Sequence, residues 1–303
     1  MIIPITQTKK WQKLQEDLGE EPFFKKEDGY QYLAILKTTP TGNYLYCPYG
    51  PVAKDNTGFK NAIKSLNELA LEQKSVFVRV EPFKEEFVKT LPKNVVKSTD
   101  LNPKETWLLD LTGKEEDLKK KLPSRLIRYY KQAEKNGITI ETSHNPKDIH
   151  YLLNLQKKLA NKKGINTFSE KYLQTELGQP FSTLYLLKKD NKVEAAGLVF
   201  DEGETRYNIQ GAQSEEGRRC HATGILTIKI ILDAKEKKLK TFDFWGIAPD
   251  DAPADHPWAG FTKFKKTFNG YQFNHAGTYD IVLNQPKYRL YQIIRKINRL
   301  IRK

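Results

Sequence analysis

Four cations, Arg125, Arg128, Lys131 and Lys135, recur at steps of 3, 3 and 4 in the segment SRLIRYYKQAEK. That spacing lines one face of a helix. Such a row can follow a phosphodiester backbone, each contact adding sequence-independent, salt-sensitive affinity. A solvated face, with Glu134 beside it, is the other reading, and both stay open. A second row ends the chain. Leu290, Ile293, Ile294, Ile297, Leu300 and Ile301 follow helical spacing, and Lys287–Lys303 holds seven Lys/Arg and no acid. A helix of this kind suits an anionic membrane surface; alternatively it docks on the core and leaves its cations in water. The five histidines, His144, His150, His221, His256 and His275, form no H-x-x-E-H or H-x-x-x-H pattern. Asp251, Asp255 and His256 offer too few oxygens for a hard metal and too few His/Cys for zinc. The loop Ala248–Pro257 therefore reads as a turn-rich lid. Cys220 and His221 are no nucleophile–base pair, since neighbours on a helix face apart. G-x-S-x-G, Walker A and G-x-G-x-x-G motifs do not occur. Neither a metal nor another cofactor is expected.

Alternating helix and strand patterns must position these residues. Helices are predicted near Gln7–Leu18 and Gly58–Glu72, strands near Tyr30–Leu36 and Asn43–Cys47. SVFVRVEP reads as a buried strand halted by Pro82. The connector Thr99–Glu105 carries the Asn and Pro signals of a boundary. Beyond it come strand TWLLDL, helices from Lys114 to Lys135 stopped at Asn136-Gly137, and strand ITIET. Helices near Pro146–Asn161 and Ser169–Leu177 precede three strands, STLYLLKK, KVEAAGLVF and TRYNIQG. A helix near Ala222–Lys237, strand TFDFWG, a helix near Trp258–Phe268, strand Tyr279–Leu283 and the C-terminal helix complete the chain. The interleaving predicts an α/β (α+β) fold with two similar halves.

A length of 303 residues is about twice a common domain. At 38% hydrophobic and 11% aromatic the composition is globular. Two cysteines, Cys47 and Cys220, exclude a disulfide framework or a four-thiolate zinc site. The start MIIPITQTKKW is too short in apolar residues for a signal-peptide core, so a cytoplasmic address is expected. A formal charge of +14 biases the partner towards nucleic acid, acidic lipid or a phosphate-rich substrate, although solubility alone is the plainer use of charge.

At FDFWGIAP…HPWAGFTKFKKTFNG, Phe242–Gly270, the chain resembles the Fem family (FemABX), aminoacyl-tRNA-dependent transferases that build the interpeptide bridge of peptidoglycan. The likeness extends through Gln7-x3-Trp11, Gly50-Pro51-Val52, Arg79-Val80-Glu81-Pro82, Asp110-Leu111, SRLIRYYKQAEKNG and Gly211-Ala212. No long coiled-coil insertion is visible, as in the compact FemX type. The resemblance implies two GNAT-like domains. Domain 1, residues 1–103 plus 276–303, would face the acceptor precursor, and domain 2, residues 104–275, the aminoacyl-tRNA. It implies that Lys265 stabilises the oxyanion formed when a stem-peptide amine attacks the aminoacyl ester. It gives Glu81 a role beside the acceptor amine, with an ion pair to Arg79 as the structural alternative. Phe264, Tyr172, Trp11 and Tyr49 fall at implied substrate-binding positions, and Arg125, Arg128, Lys131 and Lys135 at the implied tRNA side.

Cations that FemX-type members place near the muropeptide diphosphate are here Gln15, Tyr49 and Phe168, the last shortly after Gly164-Ile165. A family tyrosine before Gly211 is Gln210. Losing charge-assisted phosphate contacts weakens a UDP-linked acceptor, so UDP- and lipid-linked muropeptides both remain open. The basic C-terminal helix itself adds the expectation of peripheral contact with the inner membrane face, and a monomeric state is expected. Two other functions compete. One is a GNAT-type N-acyltransferase using an acyl thioester, which lacks its glycine-rich phosphate turn at Arg218–Gly224. The other is a non-catalytic tRNA- or membrane-binding module.

Overall fold

The N-terminal segment makes two elements where the spacing predicts one. A 3-10 turn covers Ile5–Gln7, and Thr8 then caps helix α1 (Lys9–Asp17) by accepting from the Trp11 amide. Gln7 sits outside the helix because its amide is spent elsewhere. Its Nε2 donates to the Pro48 and Leu33 carbonyls at 2.6 and 3.2 Å, and its Oε1 accepts from the Leu33 amide at 2.9 Å. Gly50 lies against that amide, and a Cβ there would meet it at 2.4 Å. Gln7 and the Gly50-Pro51-Val52 turn are thus one packing unit.

The computed structural model describes residues 3–163 and 167–301. The chain divides into two compact units, Met1–Lys104 with Asn274–Lys303, and Glu105–Phe273. The first unit continues with β1 (Glu21–Glu27), β2 (Tyr30–Thr39), β3 (Gly42–Cys47), β4 (Val52–Ala53), α2 (Asn56–Glu72), β5 (Phe77–Val80) and β6 (Val95–Lys97). The second runs β7 (Glu105–Asp110), α3 (Glu115–Lys121), α4 (Ser124–Gln132), β8 (Ile138–Ser143), α5 (Ile149–Lys163), α6 (Glu170–Leu177), β9 (Ser182–Lys189), β10 (Lys192–Glu202), β11 (Thr205–Gln213), α7 (Glu215–Arg219), α8 (Ala222–Glu236), β12 (Thr241–Gly246), α9 (Ala259–Lys266) and β13 (Tyr271–Asn274). The chain then returns to the first unit as β14 (Tyr279–Val282) and α10 (Gln285–Ile301).

Each unit is a mixed sheet flanked by helices, the α+β arrangement the alternating pattern predicts. In the first the order is β1-β2-β3-β5-β14-β6, with β4 on β2; in the second it is β13-β7-β12-β11-β10-β9-β8. Each sheet contains a parallel pair, β3 with β5 and β11 with β12. A parallel pair needs a crossover, and α2 and α8 supply it. Asp55 caps α2 through the Gly58 amide, and the α2 face carrying Phe59, Ala62, Ile63 and Leu66 packs on the sheet. α8, with ILTIKII at its centre, buries nearly its whole length against Leu187, Val199, Phe242 and Phe244.

The return of the C-terminus is held by charge as well as by the ladder. β14 pairs antiparallel with both β5 and β6. On it Asp280, 1% exposed, takes Arg79 Nε and Nη2 at 2.7 and 2.8 Å, and the Tyr288 hydroxyl of α10 donates to the same carboxylate at 2.8 Å. The Arg79 guanidinium also lies over the Tyr44, Phe77 and Tyr291 rings. This overturns the Arg79–Glu81 pair offered as an alternative: the guanidinium is taken by Asp280, its register partner on β14, while Glu81, just past the end of β5, is met by hydroxyl and amide donors.

Bidentate pairs of this kind cost little once formed, but halving one strands a buried charge. Asp280→Asn is expected to lower unfolding free energy by about 3–5 kcal/mol. Lys54→Ala, which opens an exposed pair with Asp28, should leave it nearly unchanged, since water screens such a pair. Denaturant titration of the two variants separates them.

Candidate active site

β12 runs TFDFWG, and its pairing with β7 slips by one residue between Asp243 and Gly246. The extra residue is a bulge. Within it Trp245 takes φ +64°, a left-handed conformation that an aromatic residue adopts only when its surroundings enforce it. Asp243 enforces it. Its Oδ1 accepts the Trp245 amide at 2.7 Å and the Thr106 hydroxyl of β7 at 2.6 Å. The bulge leaves the Gly246 carbonyl accepting the Lys265 ammonium of α9 at 2.5 Å. Thr262, one turn earlier on α9, accepts the Ala248 amide at 2.8 Å. Two side chains of α9 are therefore latched to the backbone that leaves β12.

The electrostatics follow from burial. Desolvation brings the Lys265 amine down to about 8, while the neighbouring Asp243 carboxylate works the other way. Desolvation pushes the Asp243 carboxyl up to about 6, against the Thr106 and Trp245 hydrogen bonds and the Lys265 charge. Between those two values the carboxylate is ionised and the amine is charged. One N–H of the ammonium rests on Gly246, so a half-buried cation with further donor capacity stands at the end of a sheet.

The adjacent FKKTFNG block is structural around this lysine. Phe264 packs edge-on to Phe268, which is fully buried, so its ring belongs to the core of the second unit. Asn269 takes φ +53° and donates to the Lys121 carbonyl. Gly270 passes so close to β7 that a Cβ would lie 2.1 Å from the Leu108 carbonyl oxygen.

Tyr172 lies on α6, capped by Ser169. Its ring stacks on Phe168 at 4.8 Å, and its hydroxyl bonds Glu176. Burial pushes that carboxyl up to about 8. Gly164-Ile165, part of the expected diphosphate position, lie outside the described residues. Arg125, Arg128, Lys131 and Lys135 are all exposed. The first three share α4, but Lys135 falls in the 3-10 turn Glu134–Asn136. The tightening before Gly137, at φ +69°, takes it off the helical row. Tyr129, beneath the Arg125 and Arg128 guanidinia, stacks on His221 at 4.7 Å.

That stack bears on the thioester alternative. His221, at φ +58°, opens α8 with no side-chain cap. Leu126 of α4 covers the first turn so closely that a Cβ on Gly224 would meet it at 2.6 Å. The Thr223 amide already donates to Gln213 Oε1. A turn this crowded offers no cradle for a pyrophosphate.

In the first unit Glu81 is 2% exposed. It accepts from the Tyr46 and Thr278 hydroxyls, the Tyr49 amide, and both the amide and side chain of Asn102. Tyr49, at φ +49°, donates its hydroxyl to Pro103 and stacks on His275 at 4.1 Å. Trp11 is half-buried on α1, and Gln15, one turn on, is buried. Two of the positions that carry cations in FemX-type members thus hold neutral, buried side chains.

Lys265 meets a partner that residue-type reasoning passed over, Asp243. A signal existed: a lone acid between two phenylalanines in a strand whose three central residues are all buried.

The model of the FemAB family matches residues 181–296, the stretch containing β12, α9 and the return strand. Lipid II:glycine glycyltransferase of Staphylococcus saprophyticus subsp. saprophyticus is 30% identical over 159 residues, 50% of this chain and 37% of that protein. Its counterpart in Staphylococcus aureus (strain USA300) is 31% identical over 103 residues, 34% of this chain and 24% of the relative. The matches thus span well under half the length of these relatives. Among solved structures, FemX superposes with TM-score 0.81 at 17% identity, covering 95% of this chain and 94% of the other. L-PGS from Bacillus licheniformis gives 0.60 at 14% identity, with 99% of both chains covered. At these identities the likeness is one of fold.

Asp243→Asn should remove the charge that favours the protonated amine and carry the Lys265 pKa below about 8. Carbon-13 NMR of the reductively methylated protein, assigned with Lys265→Met, measures the change.

Proposed function

We propose, from the match of residues 181–296 to the FemAB family model, that the chain is a Fem-type aminoacyltransferase acting on a peptidoglycan precursor, with aminoacyl-tRNA as donor and a lipid-linked muropeptide as acceptor. The observation that carries the reading is the half-buried Lys265 ammonium, latched to Gly246 beside Asp243 within the segment the family model matches. The acceptor follows from the curated relatives, whose names specify lipid II, and from the neutral residues at Gln15 and Tyr49.

In the proposed reaction the neutral amine of the stem peptide attacks the ester carbonyl carbon. The carbonyl electron pair moves to oxygen, and the Lys265 ammonium meets that oxyanion as a point charge in a partly dried setting. Collapse reforms the carbonyl and breaks the ester C–O bond. The proton lost by the amine ends on the departing ribose hydroxyl, directly or through solvent. An ester is activated enough that no strong base is required. Glu81, its oxygens taken by five donors, serves in this account as a positioning residue that holds Tyr46, Tyr49 and Asn102. Phe264 stiffens α9 from the core side. Tyr172 and Trp11 remain proposed substrate contacts, and Arg125, Arg128 and Lys131, with Lys135 at the margin, the proposed tRNA contacts.

Lys265→Met is expected to leave tRNA binding intact and to cut transfer by ~10²-fold or more, read as mass added to the muropeptide. Unchanged turnover would remove the assigned role. Raising the pH through about 8 discharges Lys265 but not an arginine. The ratio of wild-type to Lys265→Arg rates should therefore fall above that pH, with acceptor ionisation cancelling in the ratio. Arg125→Gln with Arg128→Gln should weaken tRNA binding and flatten its dependence on log salt by about 1–2, measured by filter binding across a salt series.

A further inference from the structure

α10 is anchored on one side only. Tyr288, 3% exposed, bonds Asp280; Tyr291 packs on Tyr44 and Phe77; and Arg295 donates to Ser98 Oγ at 3.2 Å. These residues follow steps of 3 and 4 and make a single inward face. On the opposite side stand Leu290, Ile293, Ile297 and Leu300, at 50, 55, 49 and 67% exposure. Large apolar side chains exposed in an unbroken helical row mark an interaction surface. Lys287, Arg289 and Lys296 are exposed beside them, and the helix contains no acid.

We propose that this outer face of α10 docks on the surface of an anionic lipid bilayer, with the four apolar side chains in the acyl boundary and the flanking cations on the headgroups. Charge complementarity selects this occupant. A second copy of the chain would bring the same cations against themselves, in a protein of net charge +14. A single row of four side chains is also far narrower than the roughly 800 Å² per partner of a stable protein interface. For an interfacial helix the row suffices, because shallow insertion and attraction to acidic lipid add together. Among the described residues no helix is long and apolar enough to cross a membrane, so the contact is peripheral. The inference deepens the reading of a lipid-linked acceptor, since it brings the first unit to the surface where such an acceptor lies.

Flotation with vesicles tests it without donor or acceptor, so the result stands apart from whether transfer is seen. The wild-type chain should float with vesicles of phosphatidylcholine plus phosphatidylglycerol, remain behind with phosphatidylcholine alone, and be released by salt. Ile293→Gln with Ile297→Gln, and separately Arg289→Gln with Lys296→Gln, should each weaken binding about tenfold or more. All four side chains face outward, so an unchanged thermal midpoint should accompany both losses. No flotation of the wild type with anionic vesicles overturns the proposal, as does flotation undiminished in both variants. Dimerisation that the isoleucine pair abolishes, in a chain that does not float, would assign the face to a second copy instead.

Discussion

An ammonium taken partly out of water stays charged only if something nearby repays its lost hydration. In the second unit the repayment comes from the end of β12. Asp243 gives up its own solvation to sit beside Lys265, and it recovers part of the cost by holding Thr106 and the Trp245 amide. The same carboxylate keeps Trp245 left-handed, and the bulge so made presents the Gly246 carbonyl to the lysine. Strand irregularity, backbone strain and site electrostatics are thus one interaction seen three ways. The motif FDFWG…FTKFKKTFNG is the sequence trace of that arrangement.

Much of the remaining packing fixes α9 and β12 so that this contact persists. Phe264, Phe268 and Phe244 stack through the core, Thr262 pins the loop after β12, and Gly270 allows the chain to brush past β7. Thr262, Phe264, Phe268 and Gly270 thus have mechanical tasks around Lys265, the residue proposed to carry the chemistry. The proposed transfer needs little more than positioning and one positive charge, because the ester is activated before it arrives.

In the first unit the organising groups are also buried charges, with a different outcome. Arg79 and Asp280 neutralise each other in full and weld the returning strand to β5. Glu81 is met by neutral donors alone. A carboxylate surrounded in that way orders its surroundings, here Tyr46 of β3 and Tyr49 of the turn that follows it. The weld also explains why α10 can leave one whole face uncovered: Tyr288 and Arg295 hold it from the inner side, so its outer residues are not needed for folding.

The hydrophobic periodicity by itself determined most of the elements, including both crossover helices and the alternation of helix and strand, because burial of a stripe or a face is a local property of spacing. It also determined the amphipathic row of α10 and the cation row of α4. Local chemistry blurred the ends: Thr8 caps where a continuous helix is predicted, since Gln7 has long-range partners, and Lys135 leaves its row because the chain tightens before Gly137. What only the tertiary structure decided is which charges meet. Arg79 finds Asp280, some two hundred residues away, in place of Glu81 two residues on. Lys265 finds Asp243 across a bulge that no period predicts. Pairing energies depend on distance and on the exclusion of water, and both are set by packing between elements far apart in the chain.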